Sequence, residues 1–128
     1  MNLLLDTHTL LWFVNRDVNL SVTARRLIED SQNVKYISMA SLWEIAIKVS
    51  AGKLEVELPI TEFARIHIEE NAMVLLPVMP RHLDVVATLP FYHRDRFDRL
   101  LVAQSIAEDF IIVTRDSAFI DYAVTRIW

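Results

Sequence analysis

The sequence predicts an α/β fold, a three-layer α/β/α sandwich on a mainly parallel sheet of four to five strands. Short apolar runs alternate with segments of helical period along the chain, the pattern of strands joined by crossover helices. Such crossovers are right-handed and place helices on both faces of the sheet. The 128 residues, 53% hydrophobic with a mean hydropathy of +0.28, predict a single domain over 1–128 that buries roughly two-thirds of its unfolded surface.

Leu3 to Leu5 reads as the first buried strand, followed by a helix from about Thr9 to Val14. Ser21 is placed to N-cap a helix with Ala24, Leu27 and Ile28 on one face. Lys35 to Ser38 gives a second strand. Leu42, Ile45, Ala46 and Val49 fall at i, i+3, i+4 and i+7, which predicts a helix over Ser41 to Ala51 that Gly52 ends. Thr61 opens the next helix, with Phe63, Ala64 and Ile68 inward, and Met73 to Leu76 is the third strand. A shorter helix runs from Arg81 to Thr88 and stops before Pro90. Phe97 to Glu108 reads as a buried helix and Phe110 to Val113 as the fourth strand. A short helix follows from about Ser117, and Arg126 to Trp128 supplies an edge strand.

Composition removes several function classes. Without cysteine there is no disulfide framework, zinc ribbon, iron–sulfur site or thiol nucleophile, and a reducing cytoplasm is the expected compartment. Gly52 is the only glycine, so neither a P-loop nor a dinucleotide fingerprint is present. No stretch has the length of a membrane span or the layout of a signal peptide. The net charge of −4 disfavours holding nucleic acid by bulk electrostatics but leaves open an enzyme that acts on it.

In open α/β sheets the binding crevice lies outside the carboxyl ends of the strands. Asp6 directly follows the first strand, and Asp116 follows the fourth after Thr114 and Arg115. Glu44, between Trp43 and Ile45, and Asp98, at the start of the most apolar helix, are two further acids in unusual places. Asp95 is close enough in sequence to replace or assist Asp98. Each aspartate could instead cap a helix or sit in its first turn, and Glu44 could pair with Lys48 at i, i+4. If the four converge, their repulsion calls for a cation, and an all-oxygen donor set favours Mg²⁺ or Mn²⁺.

At these residues the sequence resembles a known family. LLLDTHTLLW, SLWEIAIKVSAGKL, FYHRDRFDRLLVAQ and IIVTRDSAF are similar, in order, to motifs of the PIN-domain ribonucleases, specifically the VapC-type toxins of toxin–antitoxin pairs. The resemblance spans about Leu3 to Phe119. It implies Asp6, Glu44, Asp98 and Asp116 as the metal-holding catalytic acids, with Thr114 as the hydroxyl beside the metal. It also implies Mg²⁺- or Mn²⁺-dependent hydrolysis of RNA to 5′-phosphate and 3′-hydroxyl ends, a cognate antitoxin partner and a homodimer. Relatives of this subgroup commonly read HRDPFDR, whereas Arg96 stands here in place of the proline that stiffens the turn.

Arg94, Arg96, Arg99 and Arg115 crowd the acids and are candidates for RNA phosphates, with ion pairing to those acids as the alternative, favoured for Arg99. Trp12, Trp43, Phe91 and Tyr92 could stack on unpaired bases, though core or interface packing is the commoner role. His8 and His93 stand near the acids without support as ligands, and His67 reads as structural. The apolar run Leu10, Leu11, Trp12 and Phe13 could receive an antitoxin segment or simply pack inward. A phosphotransfer domain would want an acidic pair after the first strand, and a dehalogenase-type phosphatase Asp-x-Asp; Asp6-Thr7-His8 offers neither. The alternative from another class is a non-catalytic RNA- or protein-binding module of the same fold.

Overall fold

Leu3, Leu4 and Leu5 are fully buried, which is possible only for a strand covered on both faces. Their side chains alternate: Leu3 and Leu5 enter one core cluster with Leu10, Ile37, Ile45 and Val113, and Leu4 enters a second with Leu101, Ile112 and Phe119. This strand, β1 (Asn2–Leu5), is the centre of the fold in a computed structural model that describes residues Met1–Trp128. It is flanked by β2 (Val34–Ser38) and β4 (Ile111–Val113), with β3 (Val74–Leu76) beyond β2 and β5 (Arg126–Ile127) beyond β4. The order is β3-β2-β1-β4-β5 and every pair is parallel, so the expected three-layer sandwich carries five strands.

The helices are α1 (Thr7–Val14), α2 (Val22–Glu29), α3 (Met39–Ser50), α4 (Ile60–Ala64), α5 (Pro80–Thr88) and α6 (Arg96–Glu108). Residues of the first four supply the Leu3/Leu5 cluster, while Leu101 and Val102 of α6 pack on the Leu4 side. Three helices begin earlier than their apolar period predicts, because a capping side chain, not the first apolar residue, sets the start. Asp6 caps α1 at Thr7 rather than Thr9, Ser38 caps α3 at Met39 rather than Ser41, and Asp95 caps α6 at Arg96. The helix expected from Thr61 begins at Ile60 and widens after Ala64 into a π turn over Arg65–Glu69. A 3₁₀ turn, Ser117–Asp121, follows β4.

The apolar run after β1 packs inward at Leu10 and is half-buried at Leu11, Trp12 and Phe13. Leu10 is fully buried, and Leu11, Trp12 and Phe13 pack against the same cluster. The chain runs outward from β1 to β2 and β3, then returns to β1's other side as β4. Leu5 and Val113 are therefore register partners, and the loops leaving β1 and β4 diverge from one edge. That divergence is the topological switch point at which such sheets bind ligands.

Gly52 ends α3 with φ +71°; its N–H reaches the Val49 carbonyl and the Lys53 N–H the Lys48 carbonyl, the paired bonds of a Schellman cap. Ala72 occupies the same left-handed region, φ 57°, with a Cβ that disfavours it. Gly52→Ala is expected to lower, and Ala72→Gly to raise, the free energy of unfolding by about 0.5–1 kcal/mol, read from urea melts. Equal effects of the same sign would contradict this reading.

Candidate metal centre

Asp6, at the end of β1, is only 7% exposed, and both of its oxygens are engaged. Oδ1 accepts the Thr9 N–H at 2.8 Å as the α1 cap, and Oδ2 accepts the hydroxyl of Thr114. Thr114, fully buried after β4, also accepts the Asp116 N–H on its hydroxyl at 3.0 Å. One side chain thus ties the two strand-end acids together. Asp116 caps the 3₁₀ turn through Oδ1, 2.9 Å from the Ala118 N–H. Asp95 caps α6, its Oδ1 accepting from Phe97 and Asp98 at 2.9 and 3.0 Å. The capping roles and a site role are compatible, because a cap occupies one lone pair of a carboxylate and leaves others available.

Glu44 makes the expected pair with Lys48, at 2.8 Å, but not on a solvated helix face. Its residue is 8% exposed, and Oε1 accepts the Thr7 hydroxyl at 2.6 Å. Thr7 is a contact the sequence reading missed; the one available signal is a hydroxyl at the first position of the helix, directly after Asp6. With one oxygen on Thr7 and the other on Lys48, Glu44 contributes negative potential behind the front acids.

His93, which the sequence places near the acids without support as a ligand, lies among them. Its Nδ1 accepts the Asp95 N–H at 3.0 Å, so the ring proton sits on Nε2. That N–H points at Asp98 Oδ2, 3.1 Å away, and Asp116 Oδ2, 3.5 Å away. Ligand atoms of His93, Asp98 and Asp116 lie within 4.8 Å of one another. Burial first, then the charges of Asp95, Asp6 and Glu44, push the Asp98 carboxyl up from 3.8 to about 7, with His93 the single opposing influence. The negative charge here exceeds what the protein's own cations balance, and the donors are mainly carboxylate oxygens. Both features fit a hard divalent cation such as Mg²⁺ or Mn²⁺.

The basic and aromatic residues divide. Arg94 and Arg96 are exposed at the start of α6, where Asp95 fixes the turn that a proline would otherwise stiffen. Arg115 is exposed, bonded to Asn19 at 3.2 Å and 5.5 Å from the Trp12 ring. Arg99 corrects the expectation: it neither faces solvent nor pairs with an acid. It is 7% exposed, donates to the Pro90 and Leu89 carbonyls at 2.8 and 3.2 Å, and covers the Phe91 ring. Burial demanded partners, and the nearest acceptors were carbonyls of the loop leading to His93. Tyr122 anchors that loop too, accepting the His93 N–H at 2.8 Å. Trp43, Phe91 and Tyr92 are exposed, Trp12 is half-buried, and His67 packs on Phe63 as expected.

Residues 3–124 match the family model described as the PIN domain. The fold is similar to VapBC2 from Rickettsia felis bound to a DNA fragment from their promoter, with TM-score 0.72 and 16% identity over 99% of this chain and 98% of that one. FitAcB from Neisseria gonorrhoeae gives TM-score 0.66 and 17% identity over 98% and 96%. FitAB bound to an IR36 DNA fragment gives TM-score 0.65 and 17% identity over 98% and 93%. No curated protein matches the sequence.

The raised Asp98 carboxyl makes stability depend on pH. Between about pH 4 and 7 the native protein retains a proton that the unfolded chain has released, so metal-free stability falls as pH rises through that window. A divalent cation held there would compete with this proton and would raise the melting temperature increasingly toward and above pH 7. Melting curves in EDTA and in Mn²⁺ across this range test both statements. Asp98→Asn should flatten the metal-free slope, and a slope unchanged by that substitution would refute the assignment.

Proposed function

The chain belongs to the PIN domain family, and from that membership we propose that it is a metal-dependent ribonuclease, the toxin of a type II toxin–antitoxin pair. The observation that carries the reading is the gathering of carboxylates at the carboxyl ends of β1 and β4, where burial first, and then the charges of Asp95, Asp6 and Glu44, push the Asp98 carboxyl up to about 7. Asp6, Asp98 and Asp116 are the residues assigned to hold the metal, with Glu44 behind them acting directly or through water. A bound Mg²⁺ or Mn²⁺ would supply activation of water and stabilisation of charge on a phosphodiester undergoing in-line displacement.

The protein's own groups fix that geometry in advance. Thr114 holds Asp6 and the Asp116 backbone in one arrangement, and the Asp95 cap sets the turn from which Asp98 projects. His93 keeps the Asp98 and Asp116 carboxylates together through its Nε2–H. Arg94, Arg96 and Arg115 are assigned to RNA phosphates, whereas Arg99 is spent on the loop carbonyls and is withdrawn from that role. By the family resemblance the products carry 5′-phosphate and 3′-hydroxyl ends.

An antitoxin partner is supported by the structural neighbours, which are toxin–antitoxin complexes. A homodimer is proposed on the resemblance, and exposed Met39, Trp43 and Ile47, at i, i+4 and i+8 along α3, are apolar surface that a partner would cover. No helix is long and apolar enough to cross a membrane, and the cytoplasm is the proposed compartment.

Purified protein is expected to cut single-stranded or structured RNA with Mg²⁺ or Mn²⁺ and to stop on chelation. Asp6→Asn and Asp116→Asn should each lower the rate about 100-fold or more while circular dichroism stays native. Cleavage that survives EDTA, or that proceeds at the wild-type rate in a folded Asp116→Asn variant, would refute the reading. Binding of RNA with no cleavage under either metal would favour the non-catalytic module.

A further inference from the structure

Asp6 and Asp116 open onto a cleft of about 300 Å³ lined also by His8, Trp12, Arg115 and Ser117. One wall is the start of α1, with His8 and Trp12 at i and i+4 on a common face; the other is the turn leaving β4. The lining changes character away from the acids. His8 is exposed and stacks on Trp12, with ring centroids 5.5 Å apart and planes 27° apart. Trp12 is braced from the side by the edge of Trp128 at 5.8 Å, which makes the pair a rigid aromatic step. Arg115 reaches over Trp12 at 5.5 Å, and its one side-chain hydrogen bond, to Asn19, leaves further N–H donors unspent.

Few ligands satisfy both ends of such a cleft. A small anion would use Arg115 but not the rings, and an apolar group would meet five polar or charged neighbours out of six. A nucleotide presents anionic phosphate and a flat π surface together. At about 300 Å³ the cleft is on the scale of a single nucleotide unit. We propose that it is the subsite for the nucleotide adjoining the scissile phosphate, its unpaired base stacked on the His8–Trp12 step and its outer phosphate on Arg115. The inference rests on the ribonuclease reading and assigns the side chains that would grip one unpaired nucleotide of its substrate. His8 and Arg115 are then substrate-binding residues.

The test uses the full chain with Mn²⁺ and short single-stranded RNAs spanning a mapped cleavage site, with an abasic residue at each position in turn. In the wild type, one abasic position beside the cut should raise KM about tenfold. His8→Ala should raise KM about tenfold on the intact RNA and lose nothing further at that abasic position, since the stacking partner is already gone. Arg115→Gln should lower the slope of log KM against log salt by about 0.7, the signature of one lost phosphate contact to a single strand. Full additivity of His8→Ala with every abasic position, together with an unchanged salt slope in Arg115→Gln, would overturn the subsite. If the wild type cuts no RNA with either metal, the ribonuclease reading fails separately. The subsite is then judged by fluorescence anisotropy of a labelled single-stranded RNA: weaker binding by both variants supports it, and equal binding overturns it.

Discussion

Confinement of like charge is the condition around which this molecule is organised. Carboxylates brought to one edge of a sheet repel, and burial of Asp6 and Glu44 makes water a poor screen. The fold answers by giving each acid a specific donor. Backbone N–H groups at helix starts serve Asp6, Asp95 and Asp116; hydroxyls serve Asp6 and Glu44; Lys48 and His93 supply the rest. Asp98 receives the least of this help, and it is the acid whose proton is held to about 7. The residual imbalance is what a divalent cation would relieve.

The sheet order explains why the acids meet at all. Asp6 and Asp116 are distant in sequence, but β1 and β4 are parallel neighbours in register, so residues leaving their carboxyl ends emerge side by side. Thr114 sits between them because it is the first residue past β4. From the other side, α3 delivers Glu44 to Thr7, and α6 delivers Asp98 to His93. The site is therefore a product of connectivity, and its residues need no long loops to reach one another.

Much of this was legible in the sequence because it rests on local chemistry. Leu3 to Leu5 could only be a doubly covered strand, Gly52 a helix end, and Ser21 a cap, and the apolar period located every helix within a few residues. Helix starts were misplaced where the cap was polar and preceded the periodic residues, as at Ser38. What the sequence could not reveal depends on partners far along the chain. Thr7 acquires meaning only through Glu44, and Arg99 looks like its three exposed neighbours until the loop at Leu89 and Pro90 folds against it. His93 stands near the acids in the sequence, but its role rests on a hydrogen bond from the Asp95 N–H that leaves the ring's Nε2–H facing Asp98 and Asp116.

Asp6 and Asp116 each begin a helical segment and belong to the acidic site, and these two duties have different chemical tolerances. A cap needs a short side chain with an oxygen acceptor, so asparagine and, nearly as well, serine preserve it. A metal ligand needs the charge. If these two acids hold a metal as proposed, drift at either position would extinguish that chemistry and leave the helix starts capped. On that reading a scaffold built in this way would readily give rise to inert copies, and among related chains asparagine at these two positions would mark a fold kept after its metal chemistry was lost.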